Sequence, residues 1–324
     1  MEFHKWAHIE NLDAELARES WDVVKARTLD CQWVVSEKLD GTNIGINVSR
    51  EGVRISSRNN MLSPDTNFYG VGDHLNLIGE LLFKLKAFLS ATPKVDQITL
   101  NGEYFGTKIM NRIKYGVDYA FRFFGGYSID GGEYHLWSFS EVDGLLKGWG
   151  LGNLLVPVHG IFKTFDEACA VRNDAPSVLN PNETSEGIII EPFELPWAMR
   201  VDEKDLQFIF KSKNDKFKER STERIHVKPN DKEDEAIRTY RREFAELCTE
   251  SRMWSVVSKT GRPASEKDFG PYVAPFLNDA WEDFMKDHEG EEFSTKDRKA
   301  ICSIGGRGFK LFTIVAGQML KEDR

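Results

Sequence analysis

A chain of 324 residues exceeds what one ordinary hydrophobic core holds and falls short of three, so two domains of unequal size are expected. With 40% hydrophobic, 29% charged and 12% aromatic residues, a disordered, collagen-like or low-complexity chain is excluded. Lys plus Arg number 43 against 52 Asp plus Glu, a net charge of −9, which excludes nucleic-acid binding through overall charge and leaves only a local contact. The N-terminal stretch MEFHKWAHIENLDAELARE has no apolar signal core, and nowhere do about 18 apolar residues run together, so an intracellular, cytoplasmic protein without a membrane span is expected. Cys31, Cys169, Cys248 and Cys302 are scattered without a CxxC pair, which fits neither a disulfide framework nor a structural zinc site.

In chain order, Gln32 to Glu37, Thr42 to Val48 and Val53 to Ser57 alternate or run apolar between turn residues and predict three strands. Asp73 to Leu89 predicts a helix and Gln97 to Phe105 the next strand. Phe121 to Ile129 and Glu133 to Ser138 flank Asp130-Gly131-Gly132, the signature of a tight hairpin. A helix over Thr164 to Arg172 and strands over Gly187 to Glu191 and Leu206 to Ser212 complete this mixed region. After Lys228-Pro229 the strand signals stop. Val273, Phe276, Leu277, Ala280, Trp281, Phe284 and Met285 recur at helical spacing, as do Ile237, Tyr240, Phe244, Leu247 and Cys248, and then Leu311, Phe312, Val315 and Met319. The chain therefore reads as an α+β domain over 1–230 and a small all-helical domain over 231–324, with the change of character between Pro229 and Asp234.

Lys38-Leu39-Asp40-Gly41-Thr42-Asn43 puts a lysine at a strand end in a glycine-containing turn. Alone it says little, because Lys-x-x-Gly recurs at Lys147 to Gly150 and Lys267 to Gly270, and a solvated turn lysine is the simpler reading of each. Glu186 heads an apolar strand; alternation puts it on the face of Ile188 and Ile190, either as an edge residue in water or as a buried ligand. Lys211 and Lys213 lie roughly 7 Å apart on one strand face, where their repulsion favours an anion such as phosphate over or between them; a plain solvent face is the alternative. Glu103 sits within a strand between Gly102 and Gly106, which permit close approach to the backbone. Phe121-Arg122-Phe123-Phe124 is aromatic on both faces, one ring for the core and another able to stack on a base. From Lys211 to Lys228, seven basic residues (Lys211, Lys213, Lys216, Lys218, Arg220, Arg224, Lys228) face three acidic ones, the best electrostatic footprint for a polyanion in an acidic chain.

Taken together and in order, these pieces resemble the covalent nucleotidyltransferase superfamily of polynucleotide ligases and RNA-capping enzymes. Glu37-Lys38-Leu39-Asp40-Gly41 is similar to its nucleophile motif, Ser57-Arg58 to the arginine motif that follows, Asn101-Gly102-Glu103 to the central acidic motif and Phe121 to Phe124 to the base-stacking motif. Glu186 to Ile190 resembles the metal-associated motif and Lys211-Ser212-Lys213 the last one. Within the superfamily the chain is most similar to the phage RNA ligase 2 and RNA-editing ligase family, through Lys5-Trp6 with Ile9-Glu10-Asn11, Lys38-x-x-Gly-Thr-Asn43 and Lys211-Ser-Lys213-Asn214-x-Lys216-Phe217. Val257 to Gly261 and Lys267 to Gly270 extend the likeness into the helical region, where DNA ligases and capping enzymes carry a β-barrel. Two positions depart from the family: Asp40 stands where it commonly has histidine, and Gly125 where an acidic residue often follows the stacking ring.

The resemblance implies an ATP-grasp-like ligase domain of antiparallel sheets with flanking helices, and an ATP-dependent RNA ligase sealing 3′-hydroxyl and 5′-phosphate ends at duplex nicks. It implies Lys38 as nucleophile and Lys211 and Lys213 at the phosphates. Arg58 and Glu103 would bind the ribose, Phe124 would stack on adenine, Asn43 would position the phosphates, Glu37 would assist at the nucleotide, and Glu186 would hold Mg²⁺ or Mn²⁺. Because a lysine's reference pKa is about 10.4, neighbouring cations have to favour the neutral amine that attacks. Lys216, Lys218 and Arg220 would contact nucleic acid, with the helical domain docking it, and a monomer is expected. A DNA ligase or GTP-dependent capping guanylyltransferase is the alternative enzyme, and a catalytically silent nucleic-acid-binding protein the alternative of another class.

Overall fold

The structure, a computed structural model, describes residues 1–6, 9–12, 31–66, 68–201, 204–219 and 234–321. Its contacts divide the chain into two compact units, Met1–Asn214 and Asp215–Arg324. The expected boundary at 230/231 falls outside the described residues.

Among its described residues unit 1 carries two five-stranded sheets and a two-stranded ribbon. The strands are β1 (Glu10–Asn11), β2 (Trp33–Lys38), β3 (Gly41–Ser49), β4 (Gly52–Ser57), β5 (Val95–Phe105), β6 (Ala120–Asp130), β7 (Glu133–Leu136), β8 (Val158–Phe162), β9 (Gly187–Pro192), β10 (Ala198–Val201), β11 (Lys204–Gln207) and β12 (Phe210–Lys213). The first sheet runs β1-β12-β9-β2-β8 and the second β4-β3-β5-β6-β7; every pairing is antiparallel except β1 with β12. Trp33, Val35, Ile188, Ile190, Phe208 and Phe210 close one face of the first sheet over Phe165 and Ala168. In the second sheet Ile44, Ile46 and Val48 are sealed, while Asn47, between them, is buried in hydrogen bonds from Thr99 Oγ1 (2.9 Å) and to Ser56 Oγ (3.1 Å). Gly131 and Gly132, at φ 60° and 89°, make the β6–β7 hairpin turn as expected.

Three expectations are corrected. The helix over Asp73 to Leu89 is a 3₁₀ segment, Val71–Ile78, followed by α1 (Gly79–Ala91); α1 buries Leu81, Leu85 and Leu89 at four-residue spacing, but Leu77 is 49% exposed and gives the first segment no such stripe. Leu206 to Ser212 is two strands, because Phe208 enters the core of the first sheet and Ile209 a separate cluster with Trp6 and Trp197, and the chain breaks between β11 and β12. Thr164 to Arg172 shortens to α3 (Phe165–Cys169), with Thr164 as its N-cap. Helix α2 (Phe139–Gly148) and strand β8 went unpredicted, although Ser138 and Glu141 spell a capping box for α2.

Among its described residues unit 2 is all-helical: α4 (Glu235–Leu247), α5 (Glu250–Thr260), α6 (Gly270–Asp287), α7 (Thr295–Ile301) and α8 (Arg307–Lys321). The three apolar stripes fall on α6, α4 and α8, where Phe276, Phe284, Phe244, Phe312 and Val315 are sealed. At the centre lies Arg252, 1% exposed, donating to Leu247 O (2.7 Å), Asp279 O (2.8 Å) and Asp283 Oδ2 (2.6 Å) and paired also with Glu219. Its removal takes the guanidinium from the half-buried Asp279 and Asp283, of which Asp279 keeps Lys259 at 2.7 Å, so Arg252→Ala should cost unit 2 about 1.5–3 kcal/mol, read by urea denaturation of the full chain; a loss under about 0.5 kcal/mol would show that the cluster rearranges freely.

Candidate active site

Lys38 is the last residue of β2 and Gly41 the first of β3, so the nucleophile candidate stands on a two-residue turn between the two sheets. Gly41 is obligatory, because a Cβ there would lie 2.6 Å from Tyr104 O and 2.8 Å from Phe105 Cβ. Lys38 Nζ donates to Glu186 Oε2 at 2.6 Å, and Lys213 Nζ lies 3.5 Å from Glu186 Oε1. Glu186 is 3% exposed; burial pushes its carboxyl up, but Lys38, Lys213 and Arg112 together hold it down at about 2. The carboxylate is thus a fixed negative charge between two ammonium groups.

The register shows how this comes about. Lys213 pairs with Gly187 and Lys211 with Ile189, which puts both lysines on the face opposite Ile188 and Ile190. Glu186 was expected on the Ile188 face and instead joins the lysines. Gly187, at φ 157° and with a Cβ position only 2.2 Å from Ser212 O, breaks the alternation at the strand's first residue.

On the second sheet Asn43, Glu103 and Arg122 form one cross-strand row, and Arg58 follows β4 directly. Burial pushes the Glu103 carboxyl up to about 8; Lys38 and Arg58 pull it down, and Glu186 and Asp40 push it up. These charges tie the row electrostatically to the Lys38 turn. A carboxyl raised in the folded state favours folding below its unfolded pKa and loses that advantage as pH rises from about 4.5 to about 8. Glu103→Gln should therefore melt above wild type at pH 9 and level with it near pH 4; an unchanged difference across that range would show that Glu103 is not held protonated.

Of the three ring candidates Phe121 is 2% and Phe123 0% exposed, and Phe121 stacks on Tyr104. Phe124 alone among them is half-buried. It is the extra residue of a β-bulge, since Asn101 pairs with Gly125 and Gly102 with Phe123. The bulge aims Phe124 into the cluster of Trp6, Trp197 and Ile209, with the Trp6 ring centroid 5.3 Å away. Gly125 makes room for this, because a Cβ there would meet the Trp6 ring at 2.3 Å.

Glu37 is buried on the side of β2 that pairs with Ile188, and its Oε2 accepts from Val178 N at 2.8 Å; burial pushes its carboxyl up. Its contact is thus to the loop preceding Glu186. Lys216 and Lys218 are exposed in unit 2, Lys218 paired with Asp215 at 2.8 Å, and Arg220 lies outside the described residues. Arg112 went unpredicted: it forks onto Asp40, with Nε 3.1 Å from Oδ2 and Nη2 bonded to Oδ1. Nothing local in Asn111-Arg112-Ile113-Lys114 announces it. No cluster of three or more His, Cys, Asp or Glu able to hold a metal occurs among the described residues, and no helix there is long and apolar enough to cross a membrane.

The family model for RNA ligase matches residues 31–213, more than half of the chain and all of the strands just described from β2 to β12, and the chain belongs to the RNA ligase family. Residues 231–303 match the model for the C-terminal region of T4 RNA ligase 2. The mitochondrial RNA-editing ligase 1 of Trypanosoma brucei brucei is 35% identical over 88 residues, 24% of this chain and 18% of that protein. The match thus spans less than a fifth of that curated relative's length. Among solved structures, Naegleria gruberi RNA ligase with PPi is similar at a TM-score of 0.48 and 19% identity, over 66% of this chain and 57% of that one. A variant of the same ligase with AMP and Mn gives 0.45 and 20%, over 66% and 56%.

Proposed function

We propose that the chain is an ATP-dependent RNA ligase that joins 3′-hydroxyl and 5′-phosphate ends at nicks in duplex RNA, through a lysyl-AMP at Lys38 and an adenylated 5′ end. The observation that carries this reading is the Lys38–Glu186–Lys213 cluster, 2.6 and 3.5 Å across its two contacts, on a chain of the RNA ligase family. Lys38 Nζ attacks the α-phosphate of ATP, forming a P–N bond as pyrophosphate leaves. The adenylate passes to a 5′-phosphate, and the 3′-hydroxyl then displaces AMP. Lys211 and Lys213, on one face beside Ile189, stabilise charge on the phosphate oxygens. Arg58 and Glu103 hold the ribose, Asn43 the phosphates, and Phe124 the adenine, while Glu37 steadies the loop that delivers Glu186.

One buried carboxylate suits Mg²⁺ or Mn²⁺, which take few protein ligands and keep waters and substrate phosphates. Glu186 would hold such a cation, which when bound would neutralise charge on the reacting phosphates. Unit 2, with Lys216, Lys218 and Arg220, docks the RNA through phosphates rather than bases. Removal of residues after 230 should then spare adenylation and cut nick sealing about tenfold or more; sealing at the full rate would overturn the docking role. The reading includes a monomer in the cytoplasm, checked by light scattering and fractionation.

Asp40 favours a second reading, a DNA ligase or capping guanylyltransferase. The helical unit 2 supports the RNA ligase instead. Incubation with α-labelled ATP or GTP, then with nicked RNA and DNA duplexes, separates them: an adenylate and sealed RNA are expected, and a guanylate would sink the ligase reading. No adduct with either nucleotide would leave a silent nucleic-acid-binding protein.

A further inference from the structure

We propose that Arg112 is a positioning residue for nucleotidyl transfer, acting through Asp40 to fix the turn that carries Lys38. The inference rests on the ligase reading above. Asp40 lies two residues beyond Lys38 and is 1% exposed. Its carboxylate is forked by Arg112 Nε and Nη2, and its backbone N–H donates to Tyr115 Oη at 2.8 Å. Both ends of residue 40 are therefore tied to one segment, the connection between β5 and β6.

That segment is itself anchored. Ile113 is sealed in the interior, Tyr115 packs edge-on against Phe105 at 4.9 Å, and Lys114 O accepts from Asn180 Nδ2 at 2.6 Å. Asn180 belongs to the loop that leads to Glu186, so one set of contacts links the turn of the nucleophile to the approach of its carboxylate partner. The guanidinium also acts on Glu186 electrostatically.

A planar fork fixes a carboxylate in direction as well as distance, which an ammonium does not. In-line attack needs the amine within about 3–3.5 Å of phosphorus, and a misplacement of about 1 Å costs on the order of a hundredfold in rate. Loss of the fork should thus appear in the rate at saturating ATP rather than in ATP binding.

The test measures single-turnover adenylation of the full chain with Mg²⁺ and ATP for wild type, Arg112→Lys, Arg112→Ala, Asp40→Asn and the double variant Asp40→Asn/Arg112→Lys. Arg112→Lys keeps the charge and guards against a fold lost in Arg112→Ala; folding of each variant is checked by melting. Expected for Arg112→Lys is a maximal rate about 10 to 100-fold below wild type, with half-saturating ATP within about threefold. The double variant should be no slower than Asp40→Asn alone, because both act through one contact. A wild-type rate in Arg112→Lys, a loss confined to half-saturating ATP, or multiplicative losses in the double variant would each overturn the proposal. A wild-type chain that forms no Lys38 adduct would overturn the ligase reading first, and this inference with it.

Discussion

Lys38→Ala is expected to leave a folded protein that takes up no label from ATP, a loss of at least about a thousandfold. No neighbouring group can substitute. Lys213 and Lys211 stand on β12, across β9 from the Lys38 turn, and so do not take its position. Sealing of a nick whose 5′ end is already adenylated bypasses the first two displacements, so Lys38→Ala should retain more of that activity than of the overall reaction. Label on the Lys38→Ala protein would place the nucleophile elsewhere and remove the foundation of the proposed function.

Glu186→Gln should be nearly as severe, lowering adenylation by about 10²–10³-fold. The substitution preserves shape and removes only the charge that lies between Lys38 and Lys213. Two ammonium groups then face each other without a mediator, and the site loses the carboxylate suited to a divalent cation. The loss should not be rescued by raising Mg²⁺ or Mn²⁺ to millimolar levels. Full rescue by metal would make weak cation binding the whole of the effect and leave nothing for the lysine pair.

What the sequence disclosed were features carried by neighbours along the chain. The glycine after the Lys38 turn, the lysines two apart on β12 and the bulky run from Phe121 to Phe124 announce themselves locally, and the structure brings Lys38, Glu186 and Lys213 together. Alternation failed at Glu186 because that residue precedes β9, whose first residue is Gly187 at φ 157°, so the strand's period does not reach it. Periodicity could not choose among the three phenylalanines, since the bulge that aims Phe124 depends on which partner faces it on β5. Arg112 stayed invisible for a related reason: its partner is 72 positions away. The helical stripes of unit 2 were legible, but Asp279 and Asp283, one turn apart on α6, show in the sequence only as polar positions of that helix, and their partner Arg252 lies on α5.

The contact between Lys38 and Glu186 also bears on how the protein fares among reactive metabolites. Lys38 Nζ is engaged at 2.6 Å by a carboxylate that is itself sealed from solvent, so an acyl phosphate, aldehyde or thioester would have to displace that contact before reaching the nitrogen. On the proposed function, phosphates arriving with a divalent ion would draw the carboxylate away and free that nitrogen. Under that reading the contact would guard the nitrogen until the protein's own substrate arrives.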